Sequence, residues 1–246
     1  MYLFPIDFMS KPLFSIVIPA FNEENFIVDC IQSVKKQSGG FAFEIIVIDD
    51  NSIDQTARLA RSAGAKVILE KQHGVGAARR TGTDIARGYY IVQLDADTRL
   101  PTDYLVEVLK RFQRTPLLVC LSGQFYFYDG SWFKRFLRTI LFYPLIWFAR
   151  VASRKKIGGF GNNMVFKKED YNKTKGFNPN LKFGEDADLS RQLSQFGEAR
   201  FDLTLSCQTS ARRFKINKNL LILFWYYLKL CFHKNSNYNF PHSREL

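Results

Sequence analysis

The sequence predicts an α/β fold, a doubly wound and mostly parallel sheet with helices on both faces. Three observations carry that prediction. Short runs rich in Val, Ile and aromatic residues alternate with segments of helical period up to Pro101. The first, second and fourth of these runs lead into acidic stretches: residues 19–23 with Glu23, Asp49-Asp50-Asn51-Ser52, and Asp95-Ala96-Asp97. Right-handed crossovers between parallel strands place all such ends on one edge, where ligands of open α/β sheets bind.

Taken in order, residues 14–18 read as a first strand, broken by Pro19. A helix is expected to start at Asn22-Glu23-Glu24, with acids in its first turn where the dipole favours them. It presents Phe26, Ile27, Cys30, Ile31 and Val34 on one face. Residues 43–48 form the second strand; the following helix carries Ala57, Ala60 and Ala63 and is closed by Gly64. Residues 65–69 form the third. A glycine-broken loop, His73-Gly74-Val75-Gly76, leads into a helix bearing Arg79 and Arg80. The fourth strand, from Tyr89 to Leu94, runs into Asp95 and Asp97 and is stopped by Thr98-Arg99-Leu100-Pro101.

After Pro101 the period changes. Tyr104, Leu105, Val108, Leu109 and Phe112 mark an amphipathic helix, residues 117–127 a strand, and residues 132–156 a basic, aromatic stretch interrupted by Pro144. A glycine-rich loop over 158–163 precedes a short strand at 164–166. Gly184-Glu185-Asp186-Ala187-Asp188-Leu189 opens a helix that continues to Gly197, and by themselves its three acids read as dipole-favoured capping.

At 246 residues and 46% hydrophobic content, the chain can bury a sizeable core. It contains no uncharged apolar run of spanning length, so a transmembrane helix is not expected. Residues 1–14 carry an early Asp7 and lack a basic start, unlike a signal peptide. Cys30, Cys120, Cys207 and Cys231 are scattered without metal-ligand spacing, as buried thiols in a reducing cytoplasm would be. His73, His233 and His242 form no ligand set and are left out of the candidate site.

The net charge of +12 calls for an anionic partner. Residues 134–156 hold seven basic residues and no acid, and residues 212–234 hold six and no acid. Both segments also hold the densest apolar runs, so the charge points to an anionic membrane surface and not to nucleic acid. Short apolar segments flanked by Lys and Arg are what interfacial helices look like.

Asp95 and Asp97 are hard oxygen ligands of the kind Mg²⁺ or Mn²⁺ takes, with substrate phosphates completing the shell. An isolated Asp-x-Asp is a weak signal. Three acid-bearing strand ends on one edge make it a strong one.

The motifs together resemble those of a family 2 glycosyltransferase of the GT-A fold. They run Ser15-Ile16-Val17-Ile18-Pro19-Ala20-Phe21-Asn22-Glu23-Glu24, Ile48-Asp49-Asp50-Asn51-Ser52-Ile53-Asp54, Gly76-Ala77-Ala78-Arg79-Arg80-Thr81-Gly82 and Leu94-Asp95-Ala96-Asp97, then Gly176-Phe177-Asn178 and Gly184-Glu185-Asp186-Ala187-Asp188-Leu189. The resemblance implies that Pro19, Ala20, Phe21, Glu23, Asp50, Arg79 and Asp95 bind a nucleotide-diphosphate sugar donor. It implies that Asp97 ligates a divalent cation, Mn²⁺ or Mg²⁺, and that Asp186 is the general base. Glu185, Asp188, Gly161, Asn162, Arg212 and Arg213 fall on the acceptor side or in support. The stretch Gln208-Thr209-Ser210-Ala211-Arg212-Arg213-Phe214 is similar to the Gln-x-x-Arg-Trp element of processive members, but its arginine comes one residue late and Phe replaces Trp. No processivity is inferred from it.

On this reading residues 1–214 are a catalytic domain, with a nucleotide-binding half near 14–100 and an acceptor half near 101–214. Residues 215–246 form a basic, aromatic tail. The expected activity is inverting transfer of a sugar to an acceptor hydroxyl on a lipid-linked or membrane-proximal glycan, by a protein peripheral at the cytoplasmic face of the membrane. Two rivals are weaker. A sugar-phosphate nucleotidyltransferase opens with a glycine-rich, basic loop after the first strand, where this chain has Pro-Ala-Phe-Asn-Glu-Glu. A non-catalytic binding protein leaves the full set of carboxylates without a purpose.

Overall fold

The structure is a computed structural model, and residues 11–142, 144, 147–148, 151, 161–181 and 184–213 are described. The first four strands are β1 (Phe14–Ala20), β2 (Phe43–Asp49), β3 (Lys66–Leu69) and β4 (Tyr90–Leu94), linked by α1 (Ile27–Lys35), α2 (Thr56–Ser62) and α3 (Val75–Ile85). They pair in parallel, β1 with both β2 and β4, and β2 with β3. The remainder comprises β5 (Thr98–Arg99), α4 (Tyr104–Arg114), β6 (Leu118–Phe127), α5 (Trp132–Leu137) running into a π-helical turn (Arg138–Phe142), β7 (Asn163–Lys167), α6 (Lys168–Tyr171), α7 (Glu185–Leu193) and β8 (Glu198–Thr209).

All eight strands join one sheet in the order β3-β2-β1-β4-β7-β6-β8-β5. The strand β7 is antiparallel to β4 and β6, and β5 is antiparallel to β8, whereas β6 and β8 are parallel. Six strands therefore run one way, as a mostly parallel sheet requires. Its two faces bury separate cores, because successive strand residues point to opposite sides. Ile16 and Ile18 pack with Ile31 of α1 and Leu105 of α4, while Val17 and Ile48 pack with Ala78 of α3 and Leu189 of α7. Gly82 lets α3 lie close on the sheet, since a Cβ there would sit 2.3 Å from Val17 Cγ1.

The structure departs from the expected elements in four places. β1 continues through Pro19, whose position pairs with Ile48. The first helix starts at Ile27 and not at Asn22, so Glu23 and Glu24 precede it. Asn22 adopts a left-handed conformation (φ 53°), and the carbonyl of Glu23 then accepts from the N–H groups of Phe26 and Ile27, both at 2.9 Å. The short β5 and the twelve-residue β8 were not anticipated. The last helix ends at Leu193, short of Gly197. Cys30, Cys120 and Cys207 are free and buried, as expected. Residues 1–10, most of the glycine-rich loop before Gly161, and residues 214–246, including the second apolar basic run and Cys231, lie outside the described residues.

Candidate active site

The β1 and β2 ends are fastened to each other before either can hold a ligand. The N–H groups of Asn22, Glu23 and Glu24 donate to Ser52 Oγ (2.9 Å), Thr56 Oγ1 (2.7 Å) and Asp54 Oδ2 (3.1 Å), and Asn22 Oδ1 accepts from Ile53 N (3.0 Å). The N–H of Asp50 donates to the carbonyl of Ala20, at 2.8 Å. Pro19, Ala20 and Phe21 thus form one wall with Asp50. The Asp50 carboxylate lies 3.1 Å from His73 Nδ1 and accepts from Gly74 N at 3.2 Å. His73, left out of the sequence prediction, positions Asp50.

At the end of β4 the structure builds a lattice around Arg79, which is only 3% exposed. Its Nε donates to Glu185 Oε1 (3.1 Å) and its Nη2 to Asp95 Oδ1 (2.8 Å), while Nη1 donates to Gln93 Oε1 (3.3 Å) and the Gly161 carbonyl (3.0 Å). Burial opposes the charge on Arg79, but Asp95, Glu185 and Asp186 outweigh it and raise its pKa. Burial pushes Glu185 up to about 7, helped by the neighbouring Asp186. Every side-chain nitrogen of Arg79 donates inside the protein, so the residue braces Asp95 against Glu185.

Gly161 joins this lattice to Asp186. Its N–H donates to Asp186 Oδ2 at 2.8 Å, while Asp186 Oδ1 accepts from Ala187 N at 2.7 Å. A Cβ on Gly161 would stand 2.3 Å from Arg79 Nη2, so only glycine fits between them. Burial raises the pKa of Asp186, against the lowering effects of the Gly161 N–H and Arg79. Asn162 follows in the same turn, and Asn163 anchors it, its amide bridging to the Gly123 N–H and carbonyl of β6, each at 3.1 Å. Asp188 is not part of the lattice: its Oδ2 accepts from Gln192 Nε2 at 2.9 Å, one turn along α7. All three acids do fall in the first turn of α7, where the dipole favours them, but Glu185 and Asp186 also join the Arg79 lattice.

Asp97 faces a second arginine system. Thr209 Oγ1 donates to its Oδ1 at 3.1 Å, and Arg212 Nε donates to its Oδ2 at 3.2 Å. Arg212 also pairs with Glu23 Oε2, and Arg213 with Glu23 Oε1. The Arg212 guanidinium lies over the Phe26 ring, 4.3 Å from its centroid. Burial and Asp95 raise the pKa of Asp97. Burial likewise raises that of Glu23, with Asp97 adding to it against the two arginines. Arg212 and Arg213 therefore meet Glu23 and Asp97, at the ends of β1 and β4.

No group of three or more His, Cys, Asp or Glu side chains is arranged to hold a metal by itself among the described residues. The residues nevertheless fit a divalent cation. Asp97 is a buried carboxylate that already draws a positive group, the Arg212 guanidinium, onto an oxygen. One such ligand suffices when a diphosphate supplies the rest.

The Glycosyl transferase family 2 profile matches residues 15–175, which include β1 to β4 and Asp97. The chain belongs to glycosyl transferase family 2.

Chondroitin synthase of Escherichia coli is 29% identical over 191 residues, 76% of this chain and 27% of that protein. An undecaprenyl-phosphate 4-deoxy-4-formamido-L-arabinose transferase of Pseudomonas paraeruginosa is 33% identical over 117 residues, covering 44% of this chain and 33% of its own. The chain thus spans about a third or less of these two relatives. A mannosyltransferase of Pyrobaculum calidifontis, solved with GDP-Man and Mn²⁺, superposes with a TM-score of 0.69 at 20% identity, covering 90% of this chain and 63% of that one. TarS of S. aureus with UDP-GlcNAc gives 0.62 at 18% identity, covering 89% and 65%. The fold of this family 2 protein is GT-A.

Arg79 also has a stability consequence in this family 2 chain. Arg79→Leu should cost about 3–5 kcal/mol, the scale for breaking a buried ion pair, because Glu185 and Asp95 both lose their partner. Urea unfolding of the two proteins measures it. A loss below about 1 kcal/mol, as for a surface pair, would mean that Arg79 does not hold the lattice together.

Proposed function

We propose that the protein is an inverting glycosyltransferase that moves a sugar from a nucleotide-diphosphate sugar to an acceptor hydroxyl. The observation that carries this reading is the Arg79 lattice, which ties Asp95, two residues before Asp97, to Glu185 and through Gly161 to Asp186. Pro19, Ala20, Phe21 and Asp50 hold the nucleoside, with the Asp50 carboxylate as an acceptor for a base N–H. Asp95, fixed by Arg79, contacts the ribose or the sugar. Asp97 ligates the divalent cation, which when bound neutralises charge developing on the departing diphosphate.

Asp186 takes the proton of the acceptor hydroxyl as its oxygen bonds to the anomeric carbon. The bond from that carbon to the diphosphate oxygen breaks, and its electron pair leaves with the nucleoside diphosphate. One displacement inverts the anomeric centre, through a transition state with oxocarbenium character. Glu185 has no proton to move in this scheme; it holds Arg79. The products separate this reading from its rival. Incubation with UDP- and GDP-sugars and Mn²⁺ should release nucleoside diphosphate, whereas pyrophosphate release would mark a nucleotidyltransferase and overturn the proposal.

The acceptor is a lipid-linked or membrane-proximal glycan, and the protein sits at an anionic membrane surface on the cytoplasmic face. Support comes from α5 and the turn after it. Trp132, Phe133 and Phe136 fall on one face at helical spacing, Ile140 follows a turn later, and all four are exposed. Lys134 and Arg135 stand among them. Lys134 Nζ donates to the Ala211 carbonyl at 3.3 Å, so α5 lies beside the turn that delivers Arg212. A relative named as acting on undecaprenyl phosphate fits such an acceptor. No helix among the described residues is long and apolar enough to cross a membrane. In flotation with anionic liposomes, the protein should rise at low salt and less at high salt. Protein that stays at the bottom in both ends the membrane reading.

A further inference from the structure

We propose that Arg212 is a resident counter-cation of the metal site, which the divalent cation must displace from Asp97 and which the donor diphosphate then receives. The inference rests on the assignment of Asp97 as the metal ligand. Three features of the site support it.

First, Arg212 lies on the carboxylate oxygen that a cation needs, its Nε 3.2 Å from Asp97 Oδ2. A cation arriving alone must break a charge-assisted hydrogen bond to a buried carboxylate, a strong class of bond. Second, Arg212 is held there, since its Nη2 pairs with Glu23 and its guanidinium lies over Phe26. Third, its departure leaves no buried charge unpaired. Glu23 is 1% exposed and could not readily lose its only partner, but Arg213 pairs with its other oxygen. The two arginines on one carboxylate make Arg212 the spare one. A diphosphate arriving with the cation offers it new anionic oxygens, in the bidentate geometry that guanidinium favours.

The consequence is coupling. Cation and diphosphate should each bind poorly alone and tightly together, because either alone meets Arg212 committed to Asp97, and the coupling is reciprocal. Calorimetry with Mn²⁺ alone, UDP or GDP alone, and Mn²⁺ with each nucleotide measures it. Arg212→Ala should bind Mn²⁺ alone about tenfold tighter, the scale of one hydrogen bond to a charged group, and should bind the Mn²⁺–nucleotide complex more weakly. Arg212→Gln, which keeps a donor and the packing on Phe26, should change in the same direction and serves if the alanine variant does not fold. Arg213→Ala removes the same charge from the site without touching Asp97, so it should tighten Mn²⁺ much less.

If Arg212→Ala and Arg212→Gln bind free Mn²⁺ like the wild type, or Arg213→Ala matches them, Arg212 contributes only general electrostatics and the inference is overturned. Asp97→Asn separates the two layers of the argument. Unchanged Mn²⁺ binding in that variant would remove the metal assignment and this inference together. Its loss, with no effect of Arg212, would remove the inference alone.

Discussion

Asp97→Asn is expected to abolish sugar transfer and most metal-dependent binding of the donor. The amide keeps the shape of the side chain and can still accept from Thr209 Oγ1, so the fold around β5 and β8 should survive. The charge is lost, however, and an amide nitrogen turned towards Arg212 Nε would set donor against donor. Removing one group that stabilises developing negative charge costs on the order of 10²–10³ in rate. Losing the ligand that brings the cation should cost at least that. The comparison is Asp95→Asn, whose partner Arg79 remains held by Glu185, Gln93 and Gly161; donor binding should weaken there without becoming metal-independent. Turnover and calorimetry of the nucleotide with and without Mn²⁺ provide the measurement. Wild-type-like activity in Asp97→Asn would sink the metal assignment.

Asp186→Asn should leave donor binding near normal while lowering transfer by about 10²-fold or more, within the range of general-base contributions. An asparagine oxygen can still accept from the Gly161 N–H, so the turn that carries Asn162 should keep its place. The base itself disappears. Because burial raises the Asp186 pKa, the acid limb of the pH–rate profile should lie above the usual aspartate range. Transfer then falls as pH drops through that limb and the carboxylate protonates, and the limb should vanish in the variant. Asp188→Asn should do little, since its carboxylate bonds to Gln192. Glu185→Gln should act through Arg79 and show mainly as lost stability. If Asp188 proves to be the critical residue instead, the role given to Asp186 is wrong.

Much of the first half of the sheet was legible in the sequence for a physical reason. Strands buried on both faces read as continuous Val, Ile and aromatic runs, and their ends are marked by the polar residues that stop them. Residues 14–94 therefore announce β1 to β4, and with them the edge on which Asp50, Asp95 and Asp97 must fall. The strand β8 gave no such signal. It mixes Glu198, Arg200, Asp202 and Thr204 with partly exposed apolar positions, because one side of it faces solvent. The two-residue β5 exists only because β8 is there to pair with it. Missing β8 hid where the chain goes next, and so hid that Arg212 and Arg213 return to Glu23 and Asp97.

By itself, then, the sequence determined the α/β class, the first four strands, the family and the carboxylates that gather at one sheet edge, since these depend on local period and on residue chemistry. Which arginine meets which carboxylate was decided only by the tertiary structure. Arg79 and Glu185 are 106 positions apart, and Arg212 and Glu23 are 189 apart. No local pattern encodes such a pairing. It follows from the sheet order, which sets β4 beside β7 and brings the end of β8 back to the edge formed by β1 and β4. There, burial makes every charge seek a partner, and the fold determines which one is within reach.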